Sequence, residues 1–353
     1  MLLQKTNEAP ASVSLAGFVR AIPPHCLRIN PWRSWAALLR GAGLLIIAQY
    51  LLLICNPSSL FSPSALFLVP LWLFAGWALV GLFVLGHDCG HYSFSRNRLV
   101  NEIIGHVCFV FLMTGFLSWK LTHNKHHQKT QIRGEDPDWP EKAVTPEEFR
   151  RLSLLDRFHV RFGLGSPVGL LFGFQYTMLR RLLFPFMMPQ MRLERKQALR
   201  VHLSNAFMVI VNATLLGFLF WNFSLWEVCK HYLIPAQVAM VTGAMLTFLH
   251  HTNAEARVFD EADWTPLEGQ VLATYEVRFP RLLEWLWLDI NIHLPHHVAP
   301  RIPWYHLREA SAALAARFPQ YHQSRPFRWS ILWNAWRRHM LERRPGHYQM
   351  AAS

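Results

Sequence analysis

Between residues 41 and 86 the chain carries no Asp, Glu, Lys or Arg. Such a stretch cannot form the solvated surface of a water-soluble domain, and at about 20 apolar residues per membrane-spanning helix it is long enough for two. Residues 65–85 form the strongest run. The run at 41–55 reaches spanning length only if 35–39 is added and Arg40 snorkels to the surface. Residues 201–221 and 232–249 form a second pair, joined by a short link containing Glu227 and Lys230. Composition agrees: 16% of residues are charged, against about 25% in ordinary soluble domains. The expectation is an all-α integral membrane protein with four transmembrane helices in two hairpins.

Eight histidines stand at the ends of apolar runs in three boxes, H-D-C-G-H at 87–91, H-N-K-H-H at 123–127 and H-L-P-H-H at 293–297. Imidazole suits iron, copper, zinc and nickel, and a closed zinc site takes about four ligands, so eight clustered rings suit two ions rather than one. Residues four apart on a helix share a face, which pairs His87 with His91 and His123 with His127. His126 is turned by about 100° from His127, so the second box can serve two metals. Pro295 makes the third box a helix start or an irregular turn, and spacing alone gives no directions for His293, His296 and His297. Solitary histidines are ordinarily solvated or hydrogen-bonded, and His25, His159, His202, His231, His322, His339 and His347 are read that way. Carboxylates orient metal-bound imidazoles by accepting the other ring N–H; Asp88, Asp136 and Asp289 are the candidates, with Glu135 and Asp138 nearby. The five cysteines form no C-x-x-C pair, so neither a zinc ribbon nor a disulfide framework is expected, and Cys89 reads as a small buried side chain.

If the first two boxes bind one metal pair they lie on one membrane face, and an even number of crossings separates them. The run at 103–119, which carries His106, is therefore expected to be interfacial or partly inserted. Nearly all of the 35 Lys and Arg then fall on the histidine side, which the positive-inside rule makes cytoplasmic. The net charge of +13 is read as basic side chains meeting anionic headgroups, with no nucleic acid as partner. Residues 166–190 read as a membrane-lying element. Trp119, Trp139, Trp264 and Trp304 are candidate interface anchors or parts of a substrate site. The first 20 residues show no secretory-signal pattern. One domain, 1–353, is expected, with peripheral tails at about 1–30 and 325–353.

The tracts G-L-F-V-L-G-H-D-C-G-H-Y-S-F-S (81–95), S-W-K-L-T-H-N-K-H-H (118–127), F-L-H-H-T (248–252) and D-I-N-I-H-L-P-H-H-V-A-P-R-I-P-W-Y-H-L (289–307) resemble the membrane fatty acid desaturase family. The likeness is to the cyanobacterial-type delta-12 acyl-lipid desaturases and runs from about residue 20 to about 320. It implies a non-haem diiron enzyme with a cytoplasmic histidine-rich helical cap. Such an enzyme uses O2 and two electrons to introduce a cis double bond into a lipid-linked acyl chain. It carries His87, His91, His123, His126, His127, His293, His296 and His297 over as iron ligands. It adds a ninth near the end of the last span, matched here by His251, with His250 turned away and His306 a non-ligand. Thr247 stands where some relatives carry Asn, leaving an open position. No H-P-G-G motif is present, so the implied electron donor is separate, a ferredoxin or a cytochrome b5-like protein. The substrate tunnel is expected among the spanning helices and interfacial segments.

Two other functions share parts of this pattern. A histidine-box oxygenase, such as an alkane or carotenoid hydroxylase or ketolase, would use the same metals but insert oxygen. A metal transporter would place polar groups near the midplane of its spans, whereas these histidines sit at span ends.

Overall fold

The computed structural model of the chain describes residues 13–57, 63–137, 144–158, 160, 168–184, 193–252, 256–336 and 340–351. Asp138, Trp139, His159 and His339 lie outside them. Among the described residues four helices are long and apolar enough to cross a membrane: Pro31–Ile54, Pro63–Gly90, Arg195–Asn222 and Leu225–His251. At 1.5 Å per residue the shortest reaches about 36 Å, more than the roughly 30 Å of a hydrocarbon core.

Local chemistry sets where they begin. Asn30 caps the first helix by accepting from the Arg33 N–H, with Pro31 at its opening position. Ser224 caps the fourth, which widens into a π turn at Cys229–Leu233 before Pro235. Arg40 is half-buried and anchored on the protein. Its guanidinium lies 4.4 Å from the centre of the Trp285 ring and donates to the Trp285 carbonyl at 3.3 Å, so a cation–π contact and a backbone acceptor hold the charge against the protein.

The second helix is the centre of the packing, touching the first helix, the fourth helix and helix Arg98–Val110. A Cβ added at Gly81 would sit 2.6 Å from the Leu286 carbonyl oxygen, so the chain ahead of the third histidine box rests directly on this helix. The run at 103–119 is broken: helix Arg98–Val110 ends, Met113 takes a φ of 48°, and helix Phe116–Lys129 begins. Each half, about 20 Å long, is too short to span, and the break turns the second box back toward the first. The described part of the 166–190 element is a π turn at Gly169–Gly173 leading into helix Phe174–Leu183. It buries Met178 and Leu182 while exposing Phe172, Tyr176 and Leu179, the two-faced pattern of an element lying at an interface.

The fold is mostly helical rather than all-α. Strands β1 (Arg257–Val258), β2 (Glu276–Arg278), β3 (Ser324–Pro326), β4 (Met340–Arg344) and β5 (His347–Ala351) form two small sheets. β4 and β5 make an antiparallel hairpin turning at Gly346, β5 also pairs with β1, and β2 lies parallel to β3. Described parts of the segments at about 1–30 and 325–353 contribute to the cores. Leu341 and Met350 are buried in the main core, and Phe18, Ile22 and Cys26 in a second core with Leu307, Ala310 and Leu314. Strands of two to five residues are too short to show a hydrophobic period.

These contacts predict a contrast between two glycines. Gly81→Val drives a side chain into the Leu286 backbone and should destabilise by about 1–3 kcal/mol, the usual result of overpacking. Gly217 has nothing within 4 Å of its virtual Cβ, so Gly217→Ala should be neutral or mildly stabilising. Thermal melting in detergent reads both, and equal melting points would contradict the packing described.

Candidate metal centre

Helix ends deliver the histidines. His87 closes the second long helix and His91 is its C-cap, with the His91 N–H donating to the His87 carbonyl at 3.2 Å; the two rings are 4.8 Å apart. On helix Phe116–Lys129, His123 and His127 share one face with rings 4.7 Å apart and nearly perpendicular, while His126 turns toward the fourth long helix. The third box is a helix start: His293 is the N-cap of helix Leu294–Val298, Pro295 occupies its first turn, and His296 and His297 project from its last. His251, the last residue of the fourth long helix, completes the gathering.

The rings fall into two groups. His87, His91, His123, His127 and His296 each offer a nitrogen within 4.8 Å of the others, and so do His126, His251 and His297. His293 joins the second group, its Nε2 standing 3.2 Å from that of His251 and 3.0 Å from that of His297. In the first group the His123 Nε2 is met by the Nε2 atoms of His87 at 3.0 Å and His127 at 3.1 Å. A neutral imidazole has one N–H, so it cannot donate to two such neighbours from one nitrogen. Lone pairs converging at these separations match donors on neighbouring positions of a metal ion, which lie roughly 3.0–3.4 Å apart for metal–nitrogen bonds of about 2.1 Å. The Nε2 atoms of His91 and His296 are buried without a hydrogen-bond partner, which a metal would also relieve. Burial, reinforced by the neighbouring imidazoles, holds His91, His127, His293, His296 and His297 well below the usual histidine range. They are neutral, the form that binds metal.

Other side chains fix the rings. Asp136, fully buried, accepts from the His126 Nδ1–H at 2.8 Å and from the Gln131 backbone N–H at 2.8 Å. Asp88 lies with Oδ1 3.6 Å from His87 Nδ1 and accepts from the Trp304 backbone N–H at 3.1 Å. Asp289 corrects its expected role: its carboxylate is taken by Arg308, with Nε at 2.8 Å, and it sits in a left-handed turn with Leu288. Arg308 also donates to the buried Glu284 at 2.7 Å. Asp289 therefore shapes the approach to the third box rather than a ring. Glu135 is engaged by Lys125 at 2.8 Å.

Several contributors carry no sequence signal. Gln270, on a π turn at Glu268–Leu272, has its Oε1 2.9 Å from His297 Nδ1 and donates from its amide to the His127 carbonyl. It thus ties the two groups together. Gln131 donates to the His251 carbonyl at 2.6 Å. Trp119 is buried and stacks on His123 at 4.6 Å, so it is part of the site and not an interface anchor. His250 belongs to neither group and stacks on His293 of the second at 3.9 Å.

A cavity of about 220 Å³ opens against His87, His123, His126, His251 and His293. Its walls come from Val80, Phe83 and Val84 on the second long helix, from Gly243, Ala244 and Thr247 on the fourth, and from Leu170 and Phe174. A mostly apolar slot ending at a bed of buried imidazoles suits a hydrocarbon chain beside a metal.

The sequence profile of the fatty acid desaturase family matches residues 63–329. The chain belongs to that family. It is thus an oxidoreductase and a membrane protein. This desaturase is 30% identical over 325 residues to the sn-1 oleoyl-lipid 12-desaturase of a Picosynechococcus species, covering 92% of this chain and 89% of the relative. It is 31% identical to the sn-1 acyl-lipid omega-3 desaturase (ferredoxin) of a Nostoc species, covering 91% and 86%. It is 28% identical to the chloroplastic omega-6 fatty acid desaturase of Glycine max, covering 91% and 71%.

Two outcomes follow for the desaturase. Asp136→Asn keeps the shape of a ring partner but removes its charge and should weaken metal retention about 10–100-fold, whereas Asp289→Asn should leave metal content unchanged. Metal analysis after graded chelation separates them. The five depressed histidines predict acid sensitivity of the metal-free protein. Their unfolded value is about 6.5, so the unfolded chain binds more protons below that pH, and stability is full above it and falls as pH drops through it. Melting of chelator-treated protein at pH 8 and pH 6 should show the lower value at pH 6, and equal values would contradict neutral burial.

Proposed function

We propose that the protein is a delta-12 (omega-6) type acyl-lipid desaturase with a non-haem diiron centre. One iron is held by His87, His91, His123, His127 and His296, and the other by His126, His251, His293 and His297. The observation that carries this reading is the convergence of nine buried imidazoles in two groups against the apolar cavity. When bound, the two irons would supply the oxidation in which O2, two electrons and two protons remove two hydrogens from adjacent methylenes and leave as water.

The chain's own residues do the rest. Val80, Phe83, Phe174 and Ala244 line the slot and exclude water from the acyl chain. Trp119 holds His123 in plane, and Asp136 holds the His126 Nδ1 proton so that Nε2 keeps its lone pair toward the centre. Thr247, one turn before His251, lines the slot and leaves room beside the second group.

The second and fourth long helices bring their C-terminal ends to one cluster, which supports two hairpins with the histidines on one membrane face. Trp72 donating to the Lys230 carbonyl at 3.0 Å and Gln49 to the His231 carbonyl at 2.9 Å tie the hairpins together at the opposite end. The basic residues flanking the histidine segments support a cytoplasmic face. Electrons come from a separate ferredoxin, the donor for which the Nostoc relative is named, and the delta-12 position and lipid-linked oleoyl substrate follow the Picosynechococcus relative.

Expression in a host rich in monounsaturated acyl chains should yield diunsaturated lipid, read by gas chromatography of methyl esters. Hydroxylated or ketolated product would instead indicate the histidine-box oxygenase reading. His251→Ala should abolish the product and lower iron content while membrane insertion persists, and His306→Ala should retain substantial activity. Full activity in His251→Ala would remove His251 from the centre.

A further inference from the structure

A second cluster of metal-capable side chains lies outside the centre, where the segment ahead of the first long helix meets the helix that follows the third box. His25 and Cys26 belong to a 3-10 turn, Pro24–Leu27. His306 and Glu309 stand three residues apart at the start of helix Leu307–Arg317. These two segments are nearly 300 residues apart in sequence, yet each of the four side chains offers a donor atom within 4.8 Å of the others. Glu309 Oε1 is 2.6 Å from His25 Nε2, and Oε2 is 3.6 Å from His306 Nδ1. The Cys26 side chain, fully buried, brings its Sγ within the same 4.8 Å of the Glu309 carboxylate. The His25 and His306 rings are 5.7 Å apart and nearly perpendicular at 74°, pointing in from two sides rather than stacking.

From this geometry we infer that His25, Cys26, His306 and Glu309 form a zinc site that fastens the N-terminal segment to the histidine-bearing end of the molecule. The donor set decides the metal. One thiolate and two imidazoles exclude the hard ions calcium and magnesium, and four donors of sulfur, nitrogen and carboxylate oxygen are what tetrahedral zinc takes. Charge closes too, since a thiolate and a carboxylate balance a divalent cation. Tetrahedral donors lie roughly 3.4 Å apart for bonds near 2.1 Å, so the observed spread needs only small side-chain movement. Binding releases the Cys26 thiol proton to solvent and changes no oxidation state.

The surroundings give the site a purpose. Phe18, Ile22 and Cys26 share one small core with Leu307, Ala310 and Leu314, and the Asn30 backbone N–H donates to Tyr305 Oη at 2.6 Å. The same C-terminal helix carries Arg308, which grips Asp289 and Glu284 ahead of the third box. Zinc would lock the entry of the first long helix to the element that sets the third box. Without metal, the His25–Glu309 contact is an exposed ion pair that contributes little.

The test uses full-length protein in detergent, loaded with iron and dialysed against trace zinc. Wild type should retain one zinc per chain besides iron. Cys26→Ala and Glu309→Gln should each lose that zinc and keep their iron. Cobalt(II) in place of zinc should give a thiolate-to-cobalt charge-transfer band in the near ultraviolet that vanishes in Cys26→Ala and persists in His126→Ala, because the all-histidine centre offers no thiolate. If Cys26→Ala does not fold, His306→Ala reads the same losses at a partly exposed position. Wild type without retained zinc, or a cobalt band that survives in Cys26→Ala or in a folded His306→Ala, would overturn the assignment.

Discussion

Nine imidazoles are buried together with their Nε2 atoms turned inward, and the rest of the structure is arranged to make that tolerable. A buried polar atom without a partner costs about 1–3 kcal/mol, and protons alone do not satisfy His123, His251 and His293, whose Nε2 atoms each face two others at 3.0 to 3.3 Å. The cluster is therefore stable in proportion to the positive charge placed at its two foci. Metal and fold are coupled, as in any site whose ligands must be neutral and preplaced before they bind.

That coupling explains the architecture around the rings. Two long helices end at the cluster and so define where two boxes can be. The break at Met113 folds the second box back across the first. The third box is held by the chain from Glu284 to Asn291, where Glu284 accepts from Asn291 at 2.8 Å and from the Phe279 backbone N–H at 3.0 Å. Gly81, where Leu286 rests on the second long helix, connects the membrane-length helices to that scaffold. The cavity then opens where apolar helix faces end and imidazoles begin, so a hydrocarbon chain can reach the metals with little water beside it.

Much of this was legible in the sequence because the physics is local. The apolar runs, the i,i+4 pairing of His87 with His91 and of His123 with His127, and the turning of His126 toward a second focus all follow from helix geometry. Pro295 marked a helix start or an irregular turn, and the structure shows the former. The rest depends on long-range packing. Nothing in the segment around Gln270 announces a residue bridging His127 and His297, and Asp289 looked like a ring partner because its competitor, Arg308, is 19 residues away. Trp119, by contrast, stands one helical turn before His123, so their contact is itself a local i,i+4 pairing. His25 looked like a solitary histidine and His306 like a non-ligand because each carries half of a cluster whose members lie in different segments.

X-ray absorption at the iron edge of the purified protein measures the central arrangement most directly. Two irons per chain, each with a first shell of nitrogen and oxygen alone and a strong imidazole signature, is the expected result. One metal per chain, or a sulfur neighbour contributed by a cysteine such as Cys89, would contradict a diiron centre built from these nine histidines.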